Sequence, residues 1–507
     1  MFMRRALQVS AFVAFVLIVV AIIGLFVLAC GCVGNTAVTA ARFSALRADH
    51  TELRAFLKAM PKGADLHVHL SGAVYAEDLL RWGDAYEDSN GRGLCFEIAS
   101  GKVVKPPCSD KVPALADALT RQWLYDDIVN ALSMRNFLPS ADTPSGHDQF
   151  FSTFGKFGEA TWRVTAPMIA TLLRRYAAES VQHTELMITL TPPEPRLADD
   201  VLARIKETDD PAARLALVQD YIAQAVPVAK KAVESWETSV KRLLNCGTGA
   251  ADPGCGVSYR YIAQVSRNSD EARVFANTAL AAALVRAEAR VAGLNFVGPE
   301  DYRVAREDYR KHMATIGFLT RKTATDSEVP VALHAGELWL GLVPPDDLTF
   351  HIREAVETAG AKRIGHGVAL AFERRSDELL AVMRRKKVAV EVNLTSNDVI
   401  LGVRGKNHPL MAYRAANVPV ALSTDDAGVS RIDLTNEYFR AARDYPIDYR
   451  ALKTIARASI EHSFLGDTAK SAALRQLNYA FRKFEQDVVK KGSLFGNAWA
   501  LVASWLR

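Results

Sequence analysis

Cysteine is scarce in this chain, six in 507 residues, and two of the six fall within the first 32. No Cys-x-x-Cys pair occurs, which excludes a zinc cluster built on thiolates. The HExxH, GxSxG and GxxxxGK[ST] patterns are missing as well, so zincin, serine-hydrolase and P-loop chemistry have no foothold. Neither sign of charge dominates: 62 Lys and Arg against 57 Asp and Glu leave +5, too little to imply a nucleic-acid or other polyanionic partner. Low-complexity tracts are absent, and 49% hydrophobic with 23% charged residues excludes disorder, collagen and coiled coil. The length allows about three domains or one large α/β barrel with insertions.

One absence is local. From Ala6 to Ala41 there is no charged side chain, and Ala6 to Ala29 is almost unbroken apolar sequence behind the basic start MFMRR. That run exceeds a signal-peptide core and matches the ~20 residues of a spanning helix. Residues 1–32 are therefore expected to be an uncleaved membrane anchor, with Arg4 and Arg5 cytoplasmic and the body exported to the periplasmic or extracellular side. A lipoprotein signal is the rival, because small Ala29 precedes Cys30. The four remaining cysteines form two close pairs. In an oxidising compartment Cys95 joins Cys108 and Cys246 joins Cys255. Four unpaired thiols are the alternative.

Short β-branched runs then alternate with longer helical patterns. Strands are expected at 64–70, 183–190, 258–265, 293–298, 329–337, 362–367, 388–394 and 418–426, with Ala- and Arg-rich amphipathic stretches between them. Eight strands alternating with helices read as a (β/α)8 TIM barrel of the α/β class. It carries helical and disulfide-stapled insertions and follows the N-terminal membrane segment. Residues 33–59 are a linker and lead-in helix, 60–507 the barrel, and about 85–112 an insertion whose CFEIASGKVVKPPC suggests a stapled hairpin.

In such a barrel the chemistry belongs at the C-terminal strand ends, and polar groups appear there in otherwise apolar runs. His67 and His69 stand two apart on one strand and face the same side. His334 ends another strand in HAGE, and Asp425 and Asp426 end a third in STDD. Three imidazoles and a carboxylate suit Zn²⁺, one per chain, with a position left for water. Glu337, three residues past His334, is a candidate proton donor. His366 lies between glycines that would let substrate or water approach, and could orient or deprotonate that water.

These runs carry a resemblance. MPKGADLHVHLSG, NFVGPED, HAGE, RIGHG, VNLTSN…NHPL and STDD occur in the order found in the adenosine deaminase family, from about Met60 to Leu465. The match looks closest to the secreted, growth-factor-like members, which share the MPKG lead-in and a stapled insertion. The resemblance implies a metal-dependent aminohydrolase with Zn²⁺ on His67, His69, His334 and Asp425. It implies Glu337 sharing a proton with purine N1, His366 positioning and helping to deprotonate the zinc-bound water, Asp426 on N7 and the Gly298 N–H on N3. The implied reaction is hydrolytic deamination of adenosine or 2′-deoxyadenosine to inosine and ammonia.

Two departures are visible. Ser71 stands where nucleoside-acting members carry an acid for the sugar, which keeps adenine or an N6-modified nucleoside open as substrate. EVNLTSN lacks the family's usual Cys-Pro, a change read here as packing. Phe151 and Phe154 fall where the family lines its purine pocket, and core packing is the alternative for both. His147, His183, His312, His351, His408 and His462 have no partner at ligand spacing and are read as surface or packing. The tail with Trp499 and Trp505 is expected to dock on the barrel or touch the membrane surface. A surface binding or growth-factor-like protein without catalysis is the non-enzymatic alternative, and homo-oligomerisation is left open.

Overall fold

The computed structural model describes residues 34–88 and 91–492. The expected anchor at 1–32, Cys30 and the tail from Ser493 with both of its tryptophans lie outside the described residues. Among those described, no helix is long and apolar enough to cross a membrane.

All eight expected strands are present: β1 (Gly63–His69), β2 (Val181–Ile188), β3 (Ser258–Ser266), β4 (Val291–Val297), β5 (Ala332–Ala335), β6 (Arg363–His366), β7 (Ala389–Val392) and β8 (Val420–Leu422). They pair in parallel as β1-β2-β3-β4 and β8-β7-β6-β5. Single parallel bridges, Leu294 to Val331 and Val68 to Asp425, join the two sheets at both edges and close the ring. β5 to β8 are shorter than their apolar runs suggest. At or just past the ends of β5, β6 and β8 the backbone turns through left-handed conformations at Gly336, at His366 and Gly367, and at Asp425, which bends the chain away from the strand direction.

The barrel interior is unusually polar on one side of its core. Arg363 on β6 reaches Glu185 Oε2 on β2 at 2.7 Å and also bonds Glu391 on β7, all three at 1% side-chain exposure or less. β2 and β6 lie on opposite sides of the ring, so these side chains point inward. Ion pairing on both sides, with a hydrogen bond to Glu391, offsets part of the cost of burying three charges.

Two helices precede the barrel. Asp49 caps the second, His50–Ala59, by accepting from the Thr51 and Glu52 N–H groups at 3.0 Å. Phe43, Phe56, Tyr449 and Phe484 pack these helices with the last one, Asp467–Gly492, in an aromatic cluster. Ala59, Pro61, Gln182 and Val257, at the N-terminal strand ends, share a cavity with Lys491 near the end of that last helix. The described chain thus begins and ends on the face opposite the C-terminal strand ends. The insertion is a hairpin, Cys95–Glu97 against Lys102–Val104, with Phe96 opposite Val103. Disulfides Cys95–Cys108 and Cys246–Cys255 are formed as expected.

Candidate metal centre and pocket

Alternation along β1 sends Asp65, His67 and His69 to the inner face. The His67 ring needs space on β6: a Cβ at Gly365 would lie 2.5 Å from its Cε1. The glycines around His366 therefore do something other than admit substrate. Gly365 makes room for His67, and Gly367 forms a left-handed turn whose carbonyl accepts from Tyr413 Oη at 2.7 Å.

Four donor atoms converge. His67 Nε2 lies 3.0 Å from His334 Nε2, and His69 Nε2 lies 3.1 Å from the same atom. Asp425 Oδ1 is 3.5 Å from His67 Nε2 and 3.4 Å from His69 Nε2. Donors about 2.1 Å from a tetrahedral ion would stand about 3.4 Å apart. The outer nitrogens fix where the lone pairs lie. His67 Nδ1 donates to Glu391 Oε2 at 2.7 Å and His334 Nδ1 donates to Asn295 Oδ1 at 3.0 Å. Each neutral ring therefore turns a bare Nε2 inward, and two bare nitrogens at 3.0 Å cannot hydrogen-bond each other. They fit a cation between them. The field favours positive charge at this point: burial alone would depress the His67 pKa, yet the Asp425 and Glu391 carboxylates lift it to about 10, so without a metal ion a proton takes the place on Nε2 that the cation would fill.

His366 is sorted the other way. The Leu410 N–H donates to His408 Nδ1 at 3.1 Å, so His408 carries its proton on Nε2 and donates to Asn397 Oδ1 at 3.0 Å. The Asn397 amide nitrogen then donates to His366 Nδ1 at 2.8 Å. Burial holds the His366 pKa down at about 3, so the ring is neutral and its hydrogen sits on Nε2, 3.7 Å from Asp425 Oδ2. His366 shares a cluster with His67, His334 and Asp425 whose donor atoms all lie within 4.8 Å of one another. Its inward nitrogen nevertheless carries a hydrogen, which suits a donor beside the ion rather than a ligand. Ser396 Oγ donates to Asp425 Oδ2 at 2.7 Å. The VNLTSN stretch, whose departure from the family's Cys-Pro was read as packing, thus supplies two residues that hold the centre, Ser396 and Asn397.

Glu337 begins the loop after β5, and Glu300 sets it in place. The Gly336 and Glu337 N–H groups donate to the two Glu300 carboxylate oxygens at 3.0 and 2.8 Å, while His351 Nδ1 donates to Glu300 Oε1 at 2.6 Å. Burial, reinforced by the Asp425 and Glu300 charges, pushes the Glu337 pKa well up, and burial beside Asp425 does the same for Asp426. Glu337 Oε1 and Asp426 Oδ1 are buried with no hydrogen-bond partner in the protein.

Both open into a cavity of about 340 Å³, within the range of small-molecule sites. His69, His334, Asp425 and Gly298 line it, and Phe151 and Phe154 do so from the helix Gly146–Thr161. Every residue expected in the site is thus brought to one place. The sequence reading missed Phe150, Gln264, Val297, Pro299 and Tyr302, which also line it. It also missed Glu300, Asn295, Glu391 and His408, which act through another residue. Asn295 and Glu300 lie within NFVGPED, His408 within NHPL and Glu391 just before VNLTSN, but nothing in those motifs shows which ring or loop each one holds.

The pattern has a counterpart among known proteins. A family model described as adenosine deaminase matches residues 228–479. The chain belongs to the adenosine deaminase family. An adenosine deaminase of Clostridium perfringens (strain 13 / Type A) is 35% identical over 150 residues, covering 29% of this chain and 42% of that protein. The chain so spans about two fifths of the length of the curated relatives it matches. Among solved structures, adenine deaminase from Arthrobacter aurescens aligns with TM-score 0.50 at 17% identity over 83% of this chain and 98% of that one. The Arabidopsis N6-mAMP deaminase aligns with TM-score 0.52 at 18% identity over 84% and 99%. These two likenesses show that this adenosine deaminase family chain shares their fold.

Proposed function

We propose that this protein is a zinc-dependent aminohydrolase that converts adenosine or 2′-deoxyadenosine to the inosine product and ammonia. One observation carries the reading: two buried carboxyls, Glu337 and Asp426, each with one oxygen that lacks a hydrogen-bond partner, face the same cavity as four convergent metal donors. Zinc on His67, His69, His334 and Asp425 would supply Lewis acidity that brings the pKa of a bound water to about 7. Glu337, kept protonated by burial, gives its proton to purine N1 and so weakens the ring's resistance to attack at C6. Asp426, protonated for the same reason, donates to N7, and the Gly298 N–H meets N3. His366 presents its Nε2–H on the side where water must approach C6, and orients it. Water adds its oxygen to C6, one of its protons passes to N6 and the other returns to Glu337, and the C6–N6 bond breaks to release ammonia, leaving N1–H and a C6 carbonyl.

Ser71, a neutral group in the lining, keeps adenine or an N6-modified adenine nucleoside as the second reading. A pure binding protein is the weaker alternative, because it has no use for a proton donor beside a metal. The two disulfides support an oxidising compartment, and with the apolar segment 1–32 they support an exported, membrane-tethered protein. The MPKG lead-in and the stapled hairpin support a place beside the secreted growth-factor-like members. Full-length protein in detergent, assayed by ultraviolet absorbance with adenosine, 2′-deoxyadenosine and adenine, tests the activity. Metal analysis of the same sample tests the zinc. No loss of the 6-amino group from any of the three would end the reading.

A further inference from the structure

The cavity carries a statement about its substrate that reaches past deamination as such, and it rests on the purine orientation just given. With N1 at Glu337, N7 at Asp426 and N3 at Gly298, N9 lies on the edge between N3 and N7. Its substituent therefore leaves between Gly298 and Asp426, away from Glu337. Beyond the metal end, the lining is mostly apolar, with Val297 and Pro299 beside an aromatic face, and Ser71 and Gln264 as its neutral polar groups. Phe150, Phe151 and Phe154 form a continuous wall, with Phe150 ring centroids 5.3 Å from Phe151 and 5.9 Å from Phe154, and Tyr302 stands beside them. The wall is fixed in place. His147 Nε2 bonds Asp301 Oδ1 at 3.0 Å, tying the phenylalanine helix to the loop after β4, and its ring packs on Phe151 at 4.7 Å.

Charge is distributed to match. The acids in the lining are Glu337, Asp425 and Asp426, all at the metal end, and among the described residues no lysine or arginine lines the cavity. Arg267 is close but buried behind it, donating to the Phe296 and His334 carbonyls at 2.8 and 3.0 Å. A phosphate on the sugar would have no cation to meet it. Neutral polar groups are few: Gln264 is already engaged, donating to Thr189 Oγ1 at 2.9 Å and hydrogen-bonded to His69, which leaves the Ser71 and Tyr302 hydroxyls. A 5′-hydroxyl turned to the phenylalanines would lose its water without gaining a partner. An alkyl or thioether group there would gain ring contact instead.

We propose that the preferred substrate is an uncharged adenine nucleoside with an apolar 5′ substituent, and that nucleoside monophosphates are turned away. The test compares kcat/KM of the full-length protein for 5′-deoxy-5′-methylthioadenosine, adenosine, AMP and adenine. The thioether nucleoside should exceed adenosine by about tenfold, and AMP should fall at least about a hundredfold below adenosine. Phe154→Ser should bring the ratio of thioether nucleoside to adenosine close to one. AMP within tenfold of adenosine, a preference for adenine or adenosine over the thioether nucleoside, or a ratio untouched by Phe154→Ser would each overturn the inference. If adenosine loses its amine but these preferences are absent, the inference falls and the deaminase reading stands. If none of the four loses its amine, both fall.

Discussion

Glu391 is the residue on which metal and fold are most directly coupled. One carboxylate oxygen holds His67 Nδ1 at 2.7 Å and the other holds Arg363, with the side chain 1% exposed. Glu391→Gln keeps the shape, but its single carbonyl can serve only one of those donors, and its amide N–H groups then face the other. If the carbonyl stays on His67, the imidazole loses the negative charge that raises its basicity. Losing such an outer partner typically costs 10- to 100-fold in metal affinity, or about 1.4 to 2.8 kcal/mol. Arg363 retains Glu185 at 2.7 Å, so the stability loss should lie near the lower end of a broken buried pair, about 3 kcal/mol. Chelator competition gives the zinc Kd, and thermal unfolding of metal-free protein gives the stability. Glu185→Gln is the control. It disturbs Arg363 without touching His67, and should lower the melting temperature while leaving the Kd alone. A Glu391→Gln protein with wild-type zinc affinity would refute the idea that this carboxylate tunes the ligand.

Glu337→Gln should retain fold and zinc but lose roughly 10²- to 10⁴-fold in turnover, the usual worth of a positioned acid; wild-type kcat would remove it from the chemistry. Asn397→Asp replaces the amide N–H with an acceptor, so His366 should move its hydrogen to Nδ1, visible in the ring ¹⁵N shifts; an Nε2–H that persists would break the His408–Asn397–His366 chain of bonds. Cys95→Ser with Cys108→Ser should cost up to about 3 kcal/mol on thermal unfolding with little change in kcat, because the hairpin stands outside the cavity lining. Arg431, bonded to Glu77 at 2.7 and 2.8 Å, overcomes partial burial and lowers the Glu77 pKa from 4.5 to about 2. The folded value is the lower one, so this pair stabilises above pH 4.5 and its contribution is lost as pH falls through about 2. Glu77→Gln should therefore cost about 1 kcal/mol near neutrality, modest because the pair is half exposed, and the gap in melting temperature should close toward pH 2.

Strand number and ring closure were legible because eight β-branched runs recur between helical patterns, and periodicity survives in a single sequence. Strand ends were less so. After HAGE the apolar pattern resumes at Leu338 past the positive φ of Gly336, and in STDD nothing separates Asp425, which takes a positive φ, from Asp426, so neither turn is marked by composition. The metal donors were legible for a different reason: histidine and aspartate at the ends of apolar strands are conspicuous. The residues that orient them were not. Asn295 sits inside GLNFVG, Glu391 inside VAVEVNL and Asn397 inside a run that looks like ordinary packing. A lone polar residue inside a strand gives no hint of which distant ring it will meet.

That hidden layer decides what each histidine can do. His67, His334 and His366 are all buried, and their side chains meet near Asp425. By type and burial they are interchangeable. The acceptors on His67 and His334, a carboxylate and an amide oxygen, pull the hydrogen outward and leave a lone pair facing the centre. The donor on His366, an amide nitrogen held by a histidine that is itself held by a backbone N–H, does the reverse. Ligand and water-orienting roles are thus divided by hydrogen-bond polarity one bond away from the site. Exchanging a single amide for a carboxylate at Asn397 should move His366 from one class to the other without moving its ring.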